Sequence, residues 1–454
     1  MEKLSIGKVC EFTGGILKYG IRESFFEHIV IDSREVTSNC LFIPIIGEKF
    51  DGHDFMESAY NLGCRNFLCD KNHDFKKDDI SLVIVDDTTK AFGLIAKSYK
   101  TSLSIPSIAI TGSVGKTSTK DIIFSVLSRR YKTLKTIGNL NNEIGVPKTL
   151  LNLDLSYEVA VIEMGMDKKG EIDYLTKLVN PDVAVITNIG MSHIMNFSNG
   201  QEGIFEAKME IVNGLQESGI LIVNGDDEYL KTLKNESHDY KLLTYGFEED
   251  NNIYCKNFEI GDSTSRFTCV YKEKEYSFSI SSAAKHNIGN ALIAILIGFE
   301  FGLTVSEIEK GLIDLELTQN RLDIIKTDKY IIIDDTYNAS YDSVMSAVSV
   351  LNNYKERKVA ILGDIFELGG YSENIHRKIG TNIKCDVLIA IGKDSKYIYE
   401  EAQKNGIKTY YFLTKDEFYK EYKNILLKED VILVKASNGM KFDEIVKFLR
   451  EDKD

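Results

Sequence analysis

The chain has 454 residues, 43% hydrophobic and 27% charged, the balance of a folded globular protein and not of a disordered or fibrous one. Lys and Arg number 55 against 69 Asp and Glu, a formal charge of −14, which argues against a non-specific nucleic-acid binder. The seven cysteines contain no C-x-x-C, and the opening M-E-K-L-S-I-G-K-V-C has no apolar run, so the expectation is a cytoplasmic protein without a disulfide framework, zinc site or signal peptide.

This length predicts roughly three domains of about 150 residues. Short apolar runs at 28–32, 41–46, 65–69 and 81–85, with helical stretches between some of them, predict a small α/β domain over 1–103. From 107 the runs become nearly continuous: S-I-A-I-T (107–111), V-A-V-I-E (159–163), V-A-V-I-T (183–187) and I-L-I-V (220–223). Such strands are buried on both faces, which predicts a mostly parallel sheet covered by helices, with ligands at its carboxyl edge. The alternating stretch 253–280 predicts a small antiparallel insertion. The apolar run 292–303 is too short to span a bilayer and contains Glu300. This central domain extends over 104–320. Over 321–454 strands at 330–334, 358–362, 387–391 and 431–434 alternate with helices, predicting a Rossmann-like third domain without the G-x-G-x-x-G of a dinucleotide site.

The stretch T-G-S-V-G-K-T (111–117) nearly matches the common phosphate loop G-x-x-x-x-G-K-[ST], but five residues before Gly115 stands Ile110. Placed between a buried strand and a helix, it still has the parts that bind phosphate. Gly112 and Gly115 allow a tight backbone, and the helix start adds positive potential. Lys116 can reach terminal phosphates and the Thr117 hydroxyl can ligate Mg²⁺. The nucleotide contacts expected here are Thr111, Gly112, Ser113, Gly115, Lys116, Thr117 and Ser118; the bland alternative is a glycine turn with an exposed lysine. Glu163 ends the next strand, where a carboxylate can hold Mg²⁺ or simply face solvent. His193, in T-N-I-G-M-S-H, and Lys208, in A-K-M-E-I, carry little information when read alone. Asn287 and Asn290 open a helix, where amides read an adenine edge or cap the helix end. Arg321 and the run I-D-D-T-Y-N-A-S (333–340) begin the third domain and suit a cleft closing on a nucleotide.

The order of these segments says more than any one of them. T-G-S-V-G-K-T, G-N-L-N-N-E-I-G-V-P-K-T-L-L (138–151), E-M-G-M (163–166), T-N-I-G-M-S-H (187–193), A-K-M-E-I (207–211), N-G-D-D (224–227), H-N-I-G-N-A (286–291), R-L (321–322), D-D-T-Y-N-A-S (334–340) and L-G-D-I-F-E-L-G (362–369) together resemble the Mur ligase family over nearly the whole chain. T-G-x-x-G-K-T is that family's own loop form, and 32–55 resembles its nucleotide-sugar domain. The resemblance implies a three-domain α/β fold: a UDP-MurNAc-peptide-binding domain, a central P-loop ATPase domain and a Rossmann-like ligase domain. It implies ATP, two Mg²⁺ and an amide ligation through an acyl phosphate, joining D-alanyl-D-alanine to UDP-MurNAc-tripeptide in a monomer that neither binds nucleic acid nor enters membranes. By the same resemblance Lys116, His193 and Lys208 are catalytic. Thr117, Glu163, His193 and Lys208, the last carrying CO₂ as a carbamate, hold metal. Asn287, Asn290, Arg321 and Asp335 bind ATP, while Ser33, Arg34, Asn141, Asn142 and Asn188 bind substrate.

The chain departs from the family pattern on the acceptor side. Ser340 and Tyr341 stand where Asn and Pro are usual, Asn320 replaces a glycine, and K-A-S-N-G-M (435–440) brings Ala436, Asn438 and Gly439. Rival readings are a Mur-type ligase adding another amino acid, a folylpolyglutamate synthetase, a nucleotide switch, and an inactive paralogue that binds a nucleotide sugar.

Overall fold

A computed structural model describes residues 1–47, 49–261, 263–318 and 321–452. Three larger sheets follow one another along the chain. The first has five strands in the order Ile16–Tyr19, Ser81–Val85, Asn66–Asp70, Cys40–Phe42 and His28–Val30. Only Ile16–Tyr19 pairs antiparallel. The expected strand at 41–46 is cut to Cys40–Phe42 because Pro44, lacking an N–H, cannot continue the ladder. Helix Thr88–Leu103 follows this sheet and buries Ala91, Phe92, Ile95, Ala96 and Tyr99 in a core shared by the first domain and the next part of the chain. The Tyr99 hydroxyl donates to Leu153 O at 2.7 Å, and Lys148 reaches Glu35 at 3.4 Å.

The central sheet has nine strands: β1 (Ser107–Thr111), β2 (Thr133–Lys135), β3 (Val159–Glu163), β4 (Val183–Ile186), β5 (Ile220–Asn224), β6 (Lys241–Gly246), β7 (Ile253–Ile260), β8 (Ser265–Tyr271) and β9 (Lys274–Ile280). Their order is β9-β8-β7-β6-β5-β4-β1-β3-β2, parallel from β2 through β7 and antiparallel beyond. The stretch 253–280 is therefore no separate insertion. Tyr245 and Gly246 pair with Ile253 and Tyr254, so it extends the same sheet. β1 lies between β3 and β4, and every residue of β1 and β3 is buried, as their unbroken apolar runs require. Helix α1 (Lys116–Leu127) and helix α2 (Gln201–Met209) follow β1 and β4. Helix α3 (Lys285–Glu300) buries every residue from Asn287 to Gly298. It packs on α1 and contributes about 1.5–3 kcal/mol for each fully buried Leu or Ile. No helix among the described residues is long and apolar enough to cross a membrane.

The third sheet holds β10 (Asp323–Lys326), β11 (Ile331–Asp334), β12 (Lys358–Gly363), β13 (Val387–Ile391), β14 (Lys408–Phe412) and β15 (Val431–Lys435), in the order β10-β11-β15-β12-β13-β14. Only β10 runs antiparallel to its neighbour. Helix α4 (Tyr341–Leu351) follows β11 and begins with a capping box in which Ser340 and Ser343 bond reciprocally. Ser340, a departure from the family pattern, thus starts this helix.

Candidate active site

The carboxyl edge of the central sheet faces the third sheet across a cavity of about 1310 Å³. Its floor is the turn from β1 to α1. Gly112 has φ +149° and Gly115 φ +83°, and a methyl group at Gly112 would fall 1.8 Å from Thr187 Oγ1. No L side chain fits there. The segment after β4 holds the turn in place. Ser113 N donates to Asn188 O (3.1 Å), Val114 N to Asn188 Oδ1 (2.9 Å), Thr187 Oγ1 to Val114 O (2.6 Å) and Gly190 N to Ser113 Oγ (2.8 Å). Asn188, expected to touch substrate, thus commits its side-chain oxygen to shaping the loop. Gly112→Ala imposes backbone strain of about 1–3 kcal/mol besides the collision with Thr187. We expect it to weaken Mg-ADP binding at least about tenfold in calorimetry and to lower the melting temperature as well.

Lys116, Thr117, Ser118, Glu163, His193 and Lys208 line this cavity together with the loop. Thr111 ends β1 beneath it. Lys116 Nζ donates to Gly112 O at 2.7 Å; burial pulls its pKa down while Glu163 partly supports the charge. Glu163 is 2% exposed, and Asn141 Nδ2 donates to its Oε1 at 2.9 Å. Its Oε2 is buried without a hydrogen-bond partner among the described residues, with Lys120 Nζ 3.9 Å away. An unsatisfied carboxylate oxygen in the same cavity as Thr117 fits a hard cation such as Mg²⁺. Lys208, on α2, is 3% exposed. Burial and then the charge of Lys116 hold its amine well below the usual lysine range.

His193 has φ +60°, a strained conformation that turns its ring into the cleft. Its Nδ1 is 2.7 Å from Glu367 Oε2 and 3.1 Å from Asp167 Oδ1. The angles make neither contact a hydrogen bond. Burial lowers its pKa, opposed by both carboxylates. Glu367 (φ +62°) and Leu322 (φ +58°) are strained on the opposite wall.

His286 and Gly190 of the central domain also meet the third domain, whose own wall is braced beside them. His286 Nδ1 meets Ser346 Oγ at 2.6 Å, and burial pushes the His286 pKa down to about 4, so its ring is neutral. Asp342, in the first turn of α4, lies over Gly190, where a methyl group would be 2.2 Å from its Oδ2. Arg321 stacks its guanidinium 4.1 Å from the Tyr337 ring centroid and leaves its Nε buried without a partner. Asp335 Oδ2 accepts from the buried Lys435 Nζ at 2.5 Å. Asn438 donates to Tyr337 O at 2.9 Å.

Asn287 and Asn290 also line the cavity, but Asn290 Nδ2 bonds Asn287 Oδ1 (3.1 Å) and Asn287 Nδ2 bonds Ser282 Oγ (2.9 Å). The Asn142 oxygen caps the turn at Ile144 and Gly145. Ser33 and Arg34 lie apart from the cavity, on an exposed turn of the first domain where Arg34 pairs with Asp32. Asn320 lies outside the described residues. The reading of single residues did not single out Thr187, Asp342, Glu367 and Lys435. Three of them stand inside quoted motifs, and what they do depends on contacts distant in sequence.

Outside the cleft, Asp51, His53 and His73 bring possible ligand atoms within 4.8 Å of one another. Their rings stack at 3.9 Å with an interplanar angle of 4°, so the in-plane lone pairs run parallel and do not converge on an ion. His53 already bridges Asp51 Oδ1 (2.7 Å) and the Asp70 amide (3.2 Å). The cluster ties a loop to a strand end.

Comparison with known proteins matches three family descriptions in chain order. These are the Mur ligase family catalytic domain over 26–100, the Mur ligase middle domain over 110–298 and the Mur ligase glutamate ligase domain over 320–438. The UDP-N-acetylmuramoyl-tripeptide–D-alanyl-D-alanine ligase of Bacillus subtilis is 39% identical over 460 aligned positions covering 99% of both chains. That of Escherichia coli is 33% identical, covering 93% of this chain and 94% of that one. Among solved structures, MurF from Acinetobacter baumannii superposes with TM-score 0.93 at 30% identity over all of both chains. MurF ligase from Thermotoga maritima in complex with ADP gives 0.83 at 25%, covering 93% of this chain and 97% of that one.

Proposed function

The chain belongs to the Mur ligase family, and from that premise we propose that it joins D-alanyl-D-alanine to the terminal carboxylate of UDP-MurNAc-tripeptide with ATP, in peptidoglycan precursor synthesis. The observation that carries this reading is one cavity. Lys116, Glu163, His193 and Lys208 of the central domain meet Arg321 and Asp335 of the third domain around it.

A carboxylate is a poor electrophile. Its oxygen attacks the γ-phosphorus of ATP, ADP leaves, and the resulting acyl phosphate is open to attack by the dipeptide amine. The tetrahedral adduct then expels phosphate, and the amine proton goes to solvent or to phosphate. Lys116 places a cation where charge gathers on the transferred phosphoryl group. Thr117 and Glu163 would hold one magnesium ion, with His193 and Lys208 at a second. Bound there, magnesium would neutralise and orient the phosphate oxygens. The Lys208 amine attacks CO₂, forming an N–C bond and losing a proton, so that a cation becomes an anion able to position metal. Asn141 orients Glu163. Asn142 and Asn188 shape the cavity wall next to the substrate.

Thr111, Gly112, Ser113, Gly115 and Ser118 wrap the phosphates. Asn287 and Asn290 take the adenine side, Arg321 and Asp335 reach ATP from the third domain, and Ser33 and Arg34 take the uridine nucleotide. Contacts across the cleft from His193, His286 and Asp342 bring the third domain over the cavity, where excluding water protects an acyl phosphate. The working division is 1–103 for UDP-MurNAc-peptide, 104–320 for ATP and 321–454 for ligation, in a cytoplasmic monomer.

The test is phosphate release from Mg-ATP with UDP-MurNAc-tripeptide, with and without D-alanyl-D-alanine, the product being weighed by mass spectrometry. Release that needs both substrates, with a product heavier by one dipeptide residue, is expected. Release that needs a different amine would keep the ATP chemistry and overturn the acceptor; release with no amine would overturn the ligase.

A further inference from the structure

One buried charge cluster has no place in the chemistry above. Asp121 lies on α1, one turn beyond Lys116 and Thr117, with its side chain fully buried. Its Oδ1 accepts from Lys135 Nζ at 2.7 Å and lies 3.5 Å from Lys120 Nζ. These two cations suffice to balance a buried carboxylate. Yet Oδ2 is given over to one residue in a distant part of the chain, accepting from both the backbone N–H (2.9 Å) and the hydroxyl (2.7 Å) of Thr318. Two donors from one residue fix its orientation as well as its position.

Thr318 lies where the chain leaves the central domain. Arg321 follows three residues later, and three residues of extended chain span at most about 11 Å. Arg321 is therefore tethered near the helix whose first turn forms the phosphate loop. We propose that Asp121 is a positioning residue that anchors the chain at Thr318 as it leaves the central domain, so that Arg321 is held at the nucleotide by the same helix that carries the phosphate loop. This rests on the reading of the cavity as a nucleotide site.

The test measures Mg-ADP affinity by calorimetry together with the melting temperature of the full chain without nucleotide. Thr318→Val keeps the backbone donor and removes the hydroxyl, and is expected to weaken Mg-ADP binding about tenfold, the scale of one lost hydrogen bond to a charged acceptor, with a fall of at most a few degrees in melting temperature. Thr318→Ser keeps both donors and is expected to match the parent. In an Arg321→Ala background, Thr318→Val is expected to add nothing, because what it misplaces is already gone. Asp121→Asn is expected to weaken binding at least as much and to lower the melting temperature, since two lysines lose their counter-ion; if it does not fold, the Thr318 series decides. Parental affinity in Thr318→Val, additivity with Arg321→Ala, or a weakening that only follows a fall in melting temperature would each overturn this anchoring role. A parent chain that binds no Mg-ADP would instead overturn the functional reading beneath it.

Discussion

Lys208→Ala is expected to lower turnover at least about a thousandfold while leaving Mg-ADP binding within about threefold, and added bicarbonate is expected not to restore it. The side chain is 3% exposed, and no hydrogen bond or ion pair to its amine is found among the described residues. A buried lysine with no counter-ion, further repelled by Lys116, is costly as a cation and inexpensive as a neutral amine. A neutral amine in a cavity can react with CO₂, and the carbamate that would form brings a negative charge to a position where the free amine carries none. Alanine has no nitrogen to carry that group, so the loss falls on chemistry and spares nucleotide affinity. Lys208→Arg separates the two possible roles, since arginine keeps a cation and forms no carbamate under these conditions. Equal loss in both variants supports the carbamate. Activity retained by arginine would mean that the site needs a positive charge, and near-normal turnover in alanine would remove Lys208 from the mechanism.

What the sequence made legible follows from locality. Strands buried on both faces are continuous apolar runs, so β1, β3, β4, β5 and the core strands of the third sheet could be read directly. The phosphate loop could be read as well, because its glycines, lysine and flanking strand are contiguous. Several strands at sheet edges could not. Ile16–Tyr19, Thr133–Lys135 and Asp323–Lys326 are short or half-exposed, and their patterns are broken by polar residues. Lys241–Gly246 and Lys408–Phe412 each begin on an exposed lysine and carry polar residues within the run.

The site was legible as a set of residues and much less so as a set of contacts. Asp335 was expected at ATP, but sequence gives no sign that Lys435, a hundred positions later, pairs with it. Nor could sequence show that Asn188 serves the loop or that Glu367 faces His193 across a domain boundary. The family resemblance supplied roles for Lys208 and His193 that spacing alone left open. The structure adds that Lys208 is buried and that His193 has a strained backbone, both lining the same cavity.

Glu163→Gln is the sharper test of the metal reading. It keeps the shape of the side chain and the oxygen that Asn141 Nδ2 contacts at 2.9 Å, so the strand end and loop should fold as before. What changes is Oε2, the buried oxygen with no hydrogen-bond partner, which becomes an NH₂ donor facing the cavity and Lys120. An amide supplies no charge to a cation and points hydrogens where an electron pair is needed. The expected result is a fall of about a hundred- to a thousandfold in kcat/KM for Mg-ATP, the scale of removing one preorganised electrostatic group, with half-saturation shifted to higher Mg²⁺. Affinity for ADP in the presence of a chelator should stay parental, because the loop amides and Lys116 are untouched. Asn141→Ala should fall between the two, at about a tenfold loss, since it frees Glu163 to turn without removing its charge. A variant that loses ADP affinity equally with and without Mg²⁺ would show that Glu163 shapes the loop and holds no metal. An unshifted Mg²⁺ dependence would assign the orphaned oxygen another partner, for which Lys120, at 3.9 Å, is the nearest candidate.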